Sequence, residues 1–178
     1  MGQSGKTICM AWLLSINRNP YTVFDNLGIF THKGFKPLNP KAQAIVKPTS
    51  FNREDLFQKT CKDVWAKGNH IFVVDELSMN QTKHVLPPDL NTLINQGGNR
   101  NIAYWFSTRR VAQIHNDILG SCQHHFIFAT YLPQDVDWYS DVVPKHIIEQ
   151  SQRLPPFHFI YYRLGSEPRI MKPVPQVM

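Results

Sequence analysis

No apolar run in this sequence approaches the roughly 18 residues needed to cross a bilayer. The first residues also lack a basic stretch followed by an apolar one, so neither a membrane segment nor a secretory leader is expected. Cysteine is scarce. Cys9, Cys61 and Cys122 stand far apart and are odd in number, which argues against a disulfide framework and for reduced thiols in a cytosolic setting. No Cys or carboxylate stands at metal-ligand spacing from His124 and His125, so a zinc site is not expected there. Repeats and low-complexity stretches are missing. Charged residues are only 18% of the chain against 42% hydrophobic, which excludes a chain too polar to collapse. Acidic residues are short of basic ones, 13 against 19. None occurs between Asn26 and Arg53, a stretch that holds Lys33, Lys36, Lys41 and Lys47. After Gln152, Arg153, Arg163, Arg169 and Lys172 face a single Glu167. A net charge of +6 suits a polyanion partner such as nucleic acid, or simply a solvated basic surface.

At 178 residues the chain is long enough for one domain with a real core. Helical segments are expected over 6–16, 53–67, 88–96, 112–119 and 147–152. In the second of these, Leu56, Phe57, Cys61, Val64 and Trp65 share one face, with Ser50 or Asn52 as the cap. Short apolar runs at 21–24, 71–74, 102–106, 126–129 and 157–162 read as strands. The region 27–48, rich in Gly and Pro, reads as loop with at most short strands. Trp12, Trp65, Trp105 and Trp138 are expected in the core. Strands alternating with helices imply a mostly parallel sheet covered on both faces, an α/β fold. Ligands of such sheets sit at the carboxyl ends of the strands. A domain over 1–165 and a tail over 166–178 are expected.

The chain opens Met1-Gly2-Gln3-Ser4-Gly5-Lys6-Thr7 and runs straight into a helix. This matches the second half of the phosphate-loop pattern G-x-x-x-x-G-K-[ST]. Glycines let successive N–H groups ring a phosphate, and the helix start adds partial positive charge. Gly2, Gln3, Ser4, Gly5, Lys6 and Thr7 are the candidate nucleotide-binding residues, with Lys6 on the terminal phosphates and Thr7 on Mg²⁺. The pattern's first glycine would fall one residue before Met1, and the strand that feeds such a loop would lie upstream, so the first strand is expected to be missing.

Ile71-Phe72-Val73-Val74-Asp75-Glu76 is an apolar strand ending in two acids. A carboxylate at a strand tip can meet the Mg²⁺ held by Thr7, and a second beside it can activate water. Asp75 is the candidate metal residue and Glu76 the candidate general base. An acid directly after the aspartate favours hydrolysis over transfer to another acceptor.

The stretch from Asp89 through Gly97-Gly98-Asn99-Arg100 into Ala103-Tyr104-Trp105-Phe106-Ser107-Thr108-Arg109-Arg110-Val111-Ala112-Gln113-Ile114 resembles the third-strand region of the FtsK/HerA superfamily of DNA-pumping ATPases. The superfamily's polar sensor segment, T-Q-R-P-x-x-I, falls on residues 108–114, with Arg109 in place of its glutamine and Val111 in place of its proline. The resemblance implies an ASCE/RecA-like P-loop NTPase, a three-layer sandwich with a mostly parallel central sheet. It implies a sensor among Ser107, Thr108 and Arg109, and a role for Arg100 in reaching the ATP of a neighbouring subunit. The chain's tight spacing is similar to the compact viral genome-packaging ATPases. That implies ATP and Mg²⁺ as cofactors, double-stranded DNA as substrate, and a ring of identical subunits, commonly six. Capsid or portal-vertex proteins are the further partners implied, in host cytoplasm or virion. The same motifs also serve filamentous-phage assembly or secretion ATPases, small-molecule kinases and inactive P-loop modules.

Overall fold

The computed structural model describes residues 5–32 and 43–175. Two runs in it are buried at every position: β1 (Tyr21–Asp25) and β3 (His70–Asp75). They lie parallel, paired from Tyr21 with Ile71 through Asp25 with Asp75. Continuous burial is what a central parallel strand requires, because both faces are covered. β2 (Gln43–Val46) flanks β1, and β4 (Ile102–Phe106) flanks β3, giving the order β2-β1-β3-β4, all parallel.

Alternate side chains of β3 build the two halves of the core. Phe72 and Val74 join Phe57, Cys61 and Val64 of α3 (Arg53–Lys67) and Leu90 and Leu93 of α4 (Pro88–Gln96). Ile71 and Val73 join Met10, Ala11 and Leu14 of α1 (Lys6–Ile16) and Phe30 of the short α2 (Ile29–His32). Phe57 bridges adjacent strands, its ring centroid 5.1 Å from Phe24 and 6.0 Å from Phe72. Glu54 and Asp55 in the first turn of α3 and Lys67 in its last complement the helix dipole.

A second sheet is antiparallel: β5 (His124–Ile127), β6 (Phe159–Arg163) and β7 (Arg169–Met171). It packs on α6 (Pro133–Tyr139) and α7 (Lys145–Ser151) through Ile127, Val136, Ile147, Ile148 and Ile160. Among the described residues the two sheets share no ladder, so β4 and β5 each keep an unpaired edge.

Besides β5, which runs over His124–Ile127 and not 126–129, and the short α2 inside a region expected as loop, the elements differ from the sequence expectations in four places. The helix expected over 112–119 breaks into a 3₁₀ turn, Val111–Gln113, and α5, Asn116–Ser121. Side chains remote in sequence satisfy the backbone at the break. Gln81 accepts from the His115 N–H at 3.0 Å and donates to the Gln113 carbonyl at 3.0 Å, while Asp135 accepts from the Ala112 N–H at 2.9 Å. The strand expected at 157–162 begins only at Phe159, because Phe157 takes φ 63 after two prolines. Within the expected tail, Arg169–Met171 pairs with β6. α6 was not anticipated. All three cysteines are free, and His124 and His125 bond Tyr161 and Tyr139 hydroxyls, each at 2.8 Å. No helix among the described residues is long and apolar enough to cross a membrane.

Phe57 is 1% exposed and touches both strands, whereas Phe51, just before the same helix, is 98% exposed. Urea unfolding of Phe57→Ala is expected to show a loss of about 3–5 kcal/mol. Phe51→Ala should stay within about 0.5 kcal/mol of the parent.

Candidate functional site

The carboxyl ends of β1, β3 and β4 bring the candidate residues together beside the start of α1. Gly5 caps that helix at φ 85, a backbone conformation that side chains resist. A β-carbon there would lie 3.2 Å from the Phe128 ring, so space as well as torsion calls for glycine. Thr7 follows on the first turn, its hydroxyl 3.4 Å from Asp75 Oδ1.

Asp75 ends the central strand and is 1% exposed. Its Oδ1 accepts from the Ser107 hydroxyl at 2.7 Å, and its Oδ2 is buried with no hydrogen-bond partner among the described residues. Burial raises the Asp75 pKa. The Ser107 hydrogen bond opposes this, the neighbouring Asp25 and Glu76 add to it, and Thr7 opposes it weakly. An orphaned carboxylate oxygen next to a threonine hydroxyl fits a divalent cation that draws its other ligands from water and phosphate. Among the described residues no cluster of three His, Cys, Asp or Glu offers a full protein cage.

Glu76 adopts φ 56, unusual for a side chain of its size. Asn26, from the loop after β1, supports that turn. Its Nδ2 donates to the Asp75 carbonyl at 2.9 Å and to the Glu76 carbonyl at 3.3 Å, and also contacts Asn80. The Glu76 carboxylate is surrounded by donors. Oε1 accepts from Ser78 Oγ at 2.7 Å, from the Arg109 N–H at 3.0 Å and from Thr108 Oγ1 at 3.4 Å. Oε2 lies 3.3 Å from Arg109 Nε, on a side chain that is largely exposed. Burial pulls the Lys6 ammonium below the ordinary lysine range; Glu76 pulls it back, Arg109 adds to the fall and Asp75 resists it.

Of the residues marked from sequence, Gly5, Lys6, Thr7, Asp75, Glu76, Ser107, Thr108 and Arg109 converge. Gly2, Gln3 and Ser4 lie outside the described residues. Arg100 stands apart, at the amino end of β4. Its guanidinium donates to the Trp65 and Ala66 carbonyls at 2.9 and 3.3 Å and lies 5.1 Å from the Trp65 ring centroid, closing the end of α3. Asn26 and Ser78 were missed. The only signal for Asn26 is its place directly after a strand that ends in Asp25, the position where ligands of parallel sheets gather.

Comparison with solved structures places this arrangement. The genome packaging NTPase B204 from Sulfolobus turreted icosahedral virus 2, in complex with ATP-gammaS, matches with a TM-score of 0.80 and 19% identity. The match covers 97% of this chain and 93% of that one. The chain has a P-loop NTPase fold. The same viral protein in complex with AMPPCP matches with a TM-score of 0.78 at 19% identity, over 97% of this chain and 93% of that one. The N-terminal domain of zonular occludens toxin from Neisseria meningitidis is more distant, with a TM-score of 0.56 and 10% identity, over 98% of this chain and 91% of that one. No protein-family model and no curated protein matches the sequence. In this P-loop fold the site lies where the first turn of α1 meets the tips of β3 and β4.

The raised pKa of Asp75 has a defined sign for stability. Because the folded value lies above the unfolded one, the proton-linked stability is present at low pH and is lost as pH rises through the folded value. Without nucleotide or metal, Asp75→Asn is therefore expected to melt above the parent at pH 8, with the gap closing as pH falls toward 4. Thermal scans across that range check it; a gap that widens on acidification would contradict it.

Proposed function

We propose that the chain is an ATPase that drives double-stranded DNA into a viral capsid. The observation that carries the reading is the convergence of the Gly5-Lys6-Thr7 turn on Asp75 and Glu76. Likeness in fold to a genome packaging NTPase over 97% of this chain supports it, and the surplus of basic residues suits a phosphate-rich substrate.

In this reading Gly2, Gln3, Ser4 and Gly5 belong to the loop that would bind the phosphates of ATP. Lys6 sets its ammonium against the terminal oxygens. Thr7 and Asp75 hold Mg²⁺, which supplies neutralising charge for the phosphate oxygens. Glu76 takes a proton from a water as its oxygen bonds to the γ-phosphorus. The bond from that phosphorus to the β–γ bridging oxygen breaks, leaving ADP and inorganic phosphate. Thr108 and Arg109, already against Glu76, are placed to register the γ-phosphate. Arg100 serves the nucleotide of a neighbouring subunit in a ring of six. The ring works against capsid or portal-vertex proteins, in host cytoplasm or on the virion.

The test is ATP turnover with and without duplex DNA over a salt series. Duplex DNA is expected to stimulate release of inorganic phosphate, with the effect fading steeply as salt rises. Indifference to DNA at every salt concentration would remove the translocase reading, and phosphate found on an acceptor other than water would mark a kinase. Lys6→Ala is expected to lower turnover about 10²–10³-fold. Glu76→Gln should lower it about 10²–10⁴-fold while leaving ATP binding intact. Undiminished turnover in Glu76→Gln would take the base role from that residue.

A further inference from the structure

Next to the phosphate turn lies a cavity of about 240 Å³ that the chemistry above does not use. Gly5 lines it and ties it to the phosphate site. Ile8 and Cys9 of α1 line it together with Phe128, Phe157 and Pro173. These three stand just after β5, just before β6 and just after β7, so one end of the antiparallel sheet closes over the start of α1. The volume is below the roughly 300–1,000 Å³ of sites that take a whole drug-sized ligand. It suits a single flat fragment.

The lining side chains are apolar, and the polar part of the wall is main chain. No lining side chain carries a charge, an amide, a carboxyl or a hydroxyl. Phe157 is the unusual member. It holds a left-handed backbone at φ 63 and leaves its large ring 46% exposed, facing the slot. A half-exposed ring on a constrained backbone, with a second ring, Phe128, at the same cavity, offers a stacking surface for a flat heterocycle. A nucleotide whose phosphates rest on Gly5-Lys6-Thr7 carries such a heterocycle on a short tether.

We infer that this slot seats the base of the bound nucleoside triphosphate, stacked on Phe157, and that it accepts adenine and guanine about equally. The inference rests on the phosphate-loop reading and extends it to the other end of the nucleotide. Stacking favours the larger purines over pyrimidines. Discrimination between adenine and guanine needs groups placed to pair with the base edge; the lining side chains supply none, which leaves only main-chain groups to read it.

Calorimetric titration with non-hydrolysable analogues of ATP, GTP and CTP, and with inorganic tripolyphosphate, tests this on the parent, Phe157→Ala, Phe157→Tyr and Lys6→Ala. In the parent, ATP and GTP analogues should bind within about threefold of one another, and the CTP analogue more weakly. Phe157→Ala is expected to weaken both purine analogues about 5- to 100-fold. It should leave tripolyphosphate unchanged, and Phe157→Tyr should restore purine binding. If Phe157→Ala binds the ATP analogue like the parent while Lys6→Ala loses it, the seat is overturned and the phosphate loop stands. An equal loss for tripolyphosphate in Phe157→Ala overturns the seat as well. A preference of more than about tenfold between ATP and GTP analogues overturns the claim that the base edge goes unread. Failure of the parent to bind either nucleotide or tripolyphosphate overturns the seat and the phosphate-loop reading together.

Discussion

One hydroxyl fixes the geometry of this site. Ser107 Oγ sits between the central strand and its neighbour, giving its only proton to Asp75 Oδ1 and accepting the Glu76 N–H at 2.9 Å. The backbone repeats the join, with Ser107 N–H on the Val74 carbonyl and Leu77 N–H on the Ser107 carbonyl. A hydroxyl has a single donor, so these bonds leave it no freedom to rotate toward another acceptor. Two adjacent carboxylates are thereby sent in different directions, Asp75 toward Thr7 and Glu76 toward Ser78, Thr108 and Arg109. Different environments for neighbouring acids are what let two carboxylates take different roles, as proposed above for Asp75 and Glu76.

That division has an energetic side. Asp75 is held dry, and one of its oxygens has no hydrogen-bond partner among the described residues, an arrangement that costs the folded chain free energy. Glu76 has the opposite problem, an excess of donors on a strained backbone. Neither feature serves the core, which is complete without them in the two clusters on either side of β3. Departures from the local rules of good folding thus gather at the tips of β3 and β4, where a functional site is expected to hold them.

Much of the frame was legible in the sequence because its signals are local. Helices over Lys6–Ile16 and Arg53–Lys67 follow from composition, stop residues and a one-sided apolar pattern. β3 and β4 follow from uninterrupted apolar runs. Lys6, Thr7, Asp75 and Glu76 were legible because their spacing to a helix start and a strand end carries the chemistry. What stayed hidden depends on partners distant in the chain. The break after Gln113 is made by Gln81 and Asp135, and β7 exists only because β6 is there to pair with it. The segment 107–109, expected to hold a sensor, could not be narrowed to one residue from sequence. In the structure its three residues take different partners, Ser107 bonding Asp75, and Thr108 and Arg109 bonding Glu76. Asn26 carries no local mark, since its role arises only when β1 lies beside β3.

The clamp of Arg100 on the end of α3 has a mechanical meaning. Next to it, the Asn69 N–H bonds the Arg100 carbonyl at 2.8 Å and the His70 N–H bonds the Asn101 carbonyl at 3.2 Å, so the clamp grips the root of β3. From there to Asp75 runs a strand six residues long, about 20 Å, buried at every position. Packed interiors compress little, so such a strand behaves as a push-rod. A displacement imposed on the exposed arginine would therefore be shared with the strand that ends in the two carboxylates and with the sheet around it.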